Sequence, residues 1–240
     1  MNRKGFTLIE MVITLIVGSI LVFGIAGFVE LGARGYSDTI ERQRLQTQAK
    51  FVLEKISREV RHAVPNMLSD ELISGANCLS FYPIITSGFY AVSGADLQFV
   101  VGSKSASVDT IKDLSLVINP TVSAASQSNI FPLTSVTSDR ETFYLAGMAD
   151  EVKGNSVSNR HYIFDAQGKV SYCIINQRVQ RLENGLDVTP ISDSGVLGQL
   201  SYDAATVQHN GVVSISLTFT NEKDDESTSF QQKIQVLNVP

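Results

Sequence analysis

The chain has 240 residues, 43% of them apolar and 18% charged, with aromatic residues at 8%. That balance excludes a disordered chain and leaves room for one domain with a core of its own. A net charge of -5 offers no field for a nucleic acid backbone, so no nucleic acid partner is expected.

The first 28 residues set the frame for the rest. Arg3 and Lys4 form a basic flank, Gly5 follows, and Phe6 to Phe28 is apolar apart from Thr7, Glu10, Thr14 and Ser19. As helix, about 20 such residues match a hydrocarbon core about 30 Å thick. The basic end stays cytoplasmic by the positive-inside tendency, which sends everything after Phe28 to the outer face. Glu10 does not fit a plain anchor, because an ionised carboxylate in hydrocarbon is tolerated only with a partner or a function. Nothing basic lies within the run to pair with it. A cut after Gly5 would create an amine on Phe6. In staggered parallel helices the Glu10 of one copy would then meet the Phe6 amine of its neighbour.

The stretch R-K-G-F-T-L-I-E-M-V-I-T-L, from Arg3 to Leu15, closely resembles the class III signal of type IV prepilins and type II secretion pseudopilins. The resemblance implies that a membrane aspartyl peptidase cuts between Gly5 and Phe6 and methylates the new Phe6 amine, and that Glu10 is the assembly glutamate. It implies no cofactor. The implied partners are other minor and major pilin subunits, the prepilin peptidase and the inner membrane. An ordinary secretory signal is the competing reading, since Gly24-Ile25-Ala26 offers a small-x-small site, but it leaves Glu10 and the K-G-F junction unexplained. The expected organisation is a leader at 1–5, a transmembrane helix at 6–28, a periplasmic continuation of the spine at 29–64 and a β-rich globular domain at 65–240.

From Val29 to Ala63 the helical period persists: Tyr36, Ile40, Phe51 or Val52, Ile56, Val60 and Ala63 form one apolar stripe. Glu54 with Arg58, and Lys55 with Glu59, are i,i+4 pairs. Pro65 stops the helix near Ala63 or Val64. Gly24, Gly27, Gly32 and Gly35 either let the spine bend or provide small surfaces for close helix packing.

After Pro65 the period becomes two. Asp96–Val101, Asp113–Ile118 and Thr142–Leu145 read as strands, with Leu97, Phe99 and Val101 on one side. Asn119 to Asn129 is a loop of small residues. His161 to Ile174 reads as a hairpin turning at Gly168 with positive φ, and Gln177–Glu183 as a further strand ended by Asn184-Gly185. Val213, Ile215, Leu217 and Phe219 mark the inward face of the clearest strand, and Phe230, Ile234 and Val236 that of its antiparallel partner. The fold class is α+β: a long N-terminal helix, transmembrane in its first half, packed on a mostly antiparallel β-sheet domain. In this topology Cys78 and Cys173 lie in an oxidising compartment. A disulfide between them is expected there, two separately buried thiols being the alternative.

Val170 to Cys173 (V-S-Y-C), the later R-L-E-N-G and the terminal N-V-P at Asn238–Pro240 look like the larger minor pilins and J-type minor pseudopilins. The nearest resemblance is to the O-type minor pilin-like biogenesis proteins of mannose-sensitive haemagglutinin (MSHA) pili. No catalytic constellation accompanies it. His62, His161 and His209 share no ligand spacing, and neither H-E-x-x-H nor G-x-S-x-G occurs. His62 reads as a helix-end cation. Asp224, Asp225 and Glu226 read as a solvated turn, with calcium as the alternative, though they do not follow the twelve-position loop. A non-enzymatic structural subunit is therefore expected. It either initiates or caps a pilus, or serves the tip complex of a type II secretion pseudopilus.

Overall fold

The computed structural model describes residues 5–120, 129–154, 156–206, 209–221 and 226–236. A single long helix, α1 (Leu8–Arg61), is followed by an antiparallel β domain, which makes the fold α+β. The chain divides into two units inside α1, the first ending at Thr47 and the second beginning at Gln48.

In the first unit the helix runs unbroken through Gly24, Gly27, Gly32 and Gly35, and a methyl group placed on any of them would meet nothing within 4 Å. In the second unit the last turns of α1 bury Ala49, Val52, Ile56 and Val60 completely, at spacings of three and four. Val52, not the exposed Phe51, carries the stripe. Of the two i,i+4 pairs, Lys55 with Glu59 closes at 3.0 Å.

The helix ends at Arg61, earlier than Pro65 alone dictates. By Ala63 the chain is already paired as strand β1 (Ala63–Ile73), opposite Pro83. Between Ala63 and Leu68 the pairing shifts register, with Asn66 at φ 59° and its side-chain amide donating to the Pro120 carbonyl at 2.7 Å. Pro65, which has no N–H to give to a ladder, sits inside this irregularity.

Strand labels follow chain order. The first sheet runs β1, β2 (Ala76–Pro83), β10 (Val170–Ile175), β11 (Arg178–Glu183) and β12 (Asp187–Pro190). Its alternation gives two unlike faces. Leu79, Phe81 and Tyr172 are completely buried on one, where Arg181 of β11 reaches Glu59 of α1. On the other, Ser69, Ser80 and Ser171 lie in register across β1, β2 and β10, beside Cys78 and Cys173.

The second sheet, in spatial order, is β6 (Ile130–Pro132), β5 (Ser115–Ile118), β9 (Arg160–Phe164), β3 (Thr86–Ser93), β4 (Asp96–Val101), β8 (Thr142–Leu145) and β7 (Thr137–Asp139). All seven strands come from the segment between β2 and β10. Tyr90, Leu97, Phe99, Leu116, Phe143 and Ile163 form its core, which Ile111 of the short helix α2 (Val108–Ile111) also joins.

The third sheet is β13 (Val196–Asp203), β14 (Gly211–Thr220) and β15 (Ser227–Val236). Val213, Ile215, Leu217 and Phe219 are buried, and Phe219 meets Phe230 edge to face at 5.9 Å. Gly198 of β13 has φ 145°, and a Cβ there would come within 2.0 Å of the Ser216 carbonyl oxygen. The Tyr202 N–H donates to the Asp70 carboxylate at 3.0 Å and joins this sheet to the first.

The hairpin expected over His161 to Ile174 does not form. β9 pairs with β3 and β5, and β10 with β2 and β11, so both edges of each strand are taken and the link between them passes from one sheet to another. Gly168 closes a turn to the Asp165 carbonyl at 3.0 Å without positive φ. A Cβ on it would lie 2.9 Å from the Asp165 Cβ, so what the position demands is small size.

Candidate functional site

Gly5, Phe6 and Thr7 lie before the first helical residue, and Phe6 is 80% exposed. Thr7 is the N-cap. Its N–H donates to Glu10 Oε2 at 2.9 Å, its hydroxyl donates to the same oxygen at 2.8 Å, and the Glu10 N–H reaches back to the Thr7 hydroxyl at 3.4 Å. This reciprocal capping box satisfies donors that a helix start leaves without intrahelical partners. Glu10, expected to lack a partner within its own chain, therefore has one. Among the described residues both bonds from Thr7 fall on Oε2, and Glu10 itself is exposed. The sequence reading missed this use of the carboxylate although its signature, threonine with glutamate three residues on, is present in Thr7-Leu8-Ile9-Glu10. The helix that follows is long and apolar enough to cross a membrane.

A second polar group fixes the far end of α1 to the first sheet. Arg181 Nε donates to Glu59 Oε2 at 2.9 Å, Lys55 approaches the other Glu59 oxygen, and Arg181 also bonds Glu183. Burial alone would raise the Glu59 carboxyl, but the hydrogen bonds from Arg181 and Lys55 hold it below its ordinary value. Burial, and then the Glu59 charge, push the neighbouring Tyr172 phenol up.

Cys78 and Cys173 form a disulfide between directly opposed residues of β2 and β10, with Cα atoms 4.3 Å apart. That spacing fits the closer of the two antiparallel pair types.

The histidines are scattered over three places. A His62 ring nitrogen lies 2.8 Å from the Arg58 carbonyl, at the helix end, and one of His209 lies 3.1 Å from the Asn210 carbonyl. His161 is completely buried, edge-on to Phe99 at 5.3 Å, and burial lowers its pKa to about 4. Asp224 and Asp225, and the terminal Asn238–Pro240, lie outside the described residues.

Between the first two sheets lies a cleft of about 430 Å³, lined by Met67, Ser69, Glu71, Ser80, Phe81, Tyr82, Ile130, Phe164, Ala166 and Lys169. At its polar end Lys169 and Glu71 pair at 2.7 Å, the Ser69 hydroxyl donates to Glu71 at 3.0 Å, and Ser80 bonds Ser171 at 2.7 Å.

Residues 1–26 match the family model of the prokaryotic N-terminal methylation motif. The chain thus carries a type IV pilin-like prepilin leader. The match ends within the apolar part of α1, so the β domain is known from its own geometry. No curated protein and no solved structure matches the chain. Leader and apolar helix together suggest a membrane-anchored protein.

Proposed function

We propose that this chain is a minor pilin that co-assembles through its N-terminal helix to initiate or cap a type IV pilus of the MSHA kind. The observation that carries the reading is the N-terminal junction. A basic flank, Gly5, an exposed Phe6 and a glutamate one turn into a long apolar helix are what processing and helix-to-helix assembly require together. Gly5 and Phe6 flank the bond to be cut, Phe6 receives the methyl group, and Glu10 Oε1 meets the Phe6 amine of a neighbouring subunit. Residues 1–5 are the leader, 6–28 cross the inner membrane once, the helix continues the spine from 29 to Arg61, and the chain from Ala63 onward forms the periplasmic domain. A β domain holding a complete seven-stranded sheet between two adjacent strands of another supports a minor over a major subunit, because an added sheet calls for an added role. The partners are the other minor and major subunits, the prepilin peptidase and the inner membrane.

A second reading, the tip complex of a type II secretion pseudopilus, shares every feature of the N-terminus. Deletion separates the two. Loss of surface pili, restored by the full chain, with protein secretion normal throughout supports the pilus; loss of secretion, likewise restored, with normal pili supports the pseudopilus.

A further inference from the structure

We propose that the cleft between the first and second sheets binds a free α-amino acid with an apolar side chain. One end of the cleft is a single ion pair, Lys169 with Glu71 at 2.7 Å, each side chain about one-third exposed. Ser69 and Ser80 stand beside it, and Met67, Tyr82, Ile130 and Phe164 supply an apolar wall. Pockets for small ligands join an apolar body to a few convergent polar groups in this way, and about 430 Å³ falls within their usual size.

The charges select the ligand. The pair is neutral overall, so a ligand with one charge gains from one partner and is repelled by the other at nearly the same distance. A zwitterion with its charges on one carbon presents the complementary dipole. Its ammonium faces Glu71 and its carboxylate faces Lys169. The donors and acceptors for this are present. Lys169 has three N–H groups and spends one on Glu71. Glu71 accepts from Lys169 and Ser69, and its carboxylate keeps lone-pair capacity for an incoming ammonium. Burial opposes ionisation of Glu71, yet the hydrogen bonds from Lys169 and Ser69 hold its pKa below the ordinary value, so the anion is present at neutral pH. With the head group seated there, the ligand's side chain lies along Met67, Tyr82 and Phe164. The proposal does not rest on the pilin reading, because every residue involved is in the β domain.

The test is calorimetric titration of the full chain in detergent micelles with L-leucine and L-phenylalanine. 4-Methylpentanoate and 3-methylbutylamine serve as the single-charge analogues of leucine. The expected result is saturable one-to-one binding of the amino acids, with both analogues weaker by at least about tenfold. Lys169→Met should weaken leucine binding by a similar factor. Ala166→Leu, which narrows the cleft and leaves the ion pair in place, should abolish it while the thermal midpoint stays near that of the wild type. Absence of saturable heat, equal binding of leucine and its analogues, or undiminished binding by Ala166→Leu would overturn the proposal.

Discussion

The amide and the hydroxyl of Thr7 converge on one carboxylate oxygen of Glu10, at 2.9 and 2.8 Å. The residue proposed to pair with a neighbouring subunit is thus already held by its own helix start. The two roles separate by substitution. Glu10→Gln keeps an oxygen for Thr7 but removes the charge, so it should preserve the start of the helix and lower incorporation into the filament. Thr7→Val should weaken the helix start by about 1 kcal/mol. Backbone chemical shifts of residues 7–11 in micelles, beside co-purification with other subunits, report both. Normal incorporation of Glu10→Gln would reject the charge as the assembly contact.

Processing should leave Phe6 as the first residue, bearing one methyl group on its amine. Intact mass and N-terminal fragmentation of the purified protein read this directly. A mature chain beginning at Gly27 would replace the prepilin reading with an ordinary secretory signal.

Removing the disulfide should destabilise the β domain. Cys78 and Cys173 are 95 residues apart, and closing a loop of that length is worth about 4.7 kcal/mol in the chain-entropy model. Cys78→Ala/Cys173→Ala should therefore melt well below the wild type under non-reducing conditions. The same gap should appear when the wild type is fully reduced. Superimposable melting curves would show that the β2–β10 pairing needs no covalent tie.

The link between Glu59 and Arg181 predicts an acid-sensitive domain. A carboxylate whose pKa is lowered by folding contributes stability that is present above its unfolded pKa and lost as pH falls through the folded value. Glu59 and Glu71 both shift in that direction from an ordinary value of 4.5. The thermal midpoint should hold steady from neutrality down to about pH 5 and fall below it. Glu59→Gln should flatten that fall and lower the plateau, because Arg181 loses a partly buried charged partner and keeps only Glu183.

Leu217 is completely buried on β14, opposite Phe230. Leu217→Asp should cost several kcal/mol, because the charge has no partner in that core. Leu197→Asp, on the exposed face of β13, should cost little. Urea midpoints of the two variants check the assignment of faces.

The features legible from sequence are those decided locally. The apolar run, the alternation of Leu97 and Phe99, and the alternation from Val213 to Phe219 each place side chains without reference to distant partners. β13 escaped notice because Leu197 points outward and Gly198 interrupts its period. β1 was hidden by the irregularity around Pro65 and Asn66. The hairpin failed for a non-local reason. Two strand-forming runs with a glycine between them invite pairing, but which edges remain free for it depends on β2, β3, β5 and β11. In the candidate site, Gly5, Phe6 and Glu10 stand in the letters of the chain, whereas the cleft needs Glu71 and Lys169, 98 residues apart, brought together by folding.

The seven strands that leave the first sheet after Pro83 and return at Val170 form one long excursion from it. Its own ends are already adjacent, since Thr86 of β3 pairs with Ile163 of β9. An excursion with neighbouring ends delivers β2 and β10 to each other, so their pairing bears little of the closure entropy that so long a segment would otherwise impose. The disulfide then acts as a clasp at the neck of the excursion, where the chain leaves the first sheet and rejoins it.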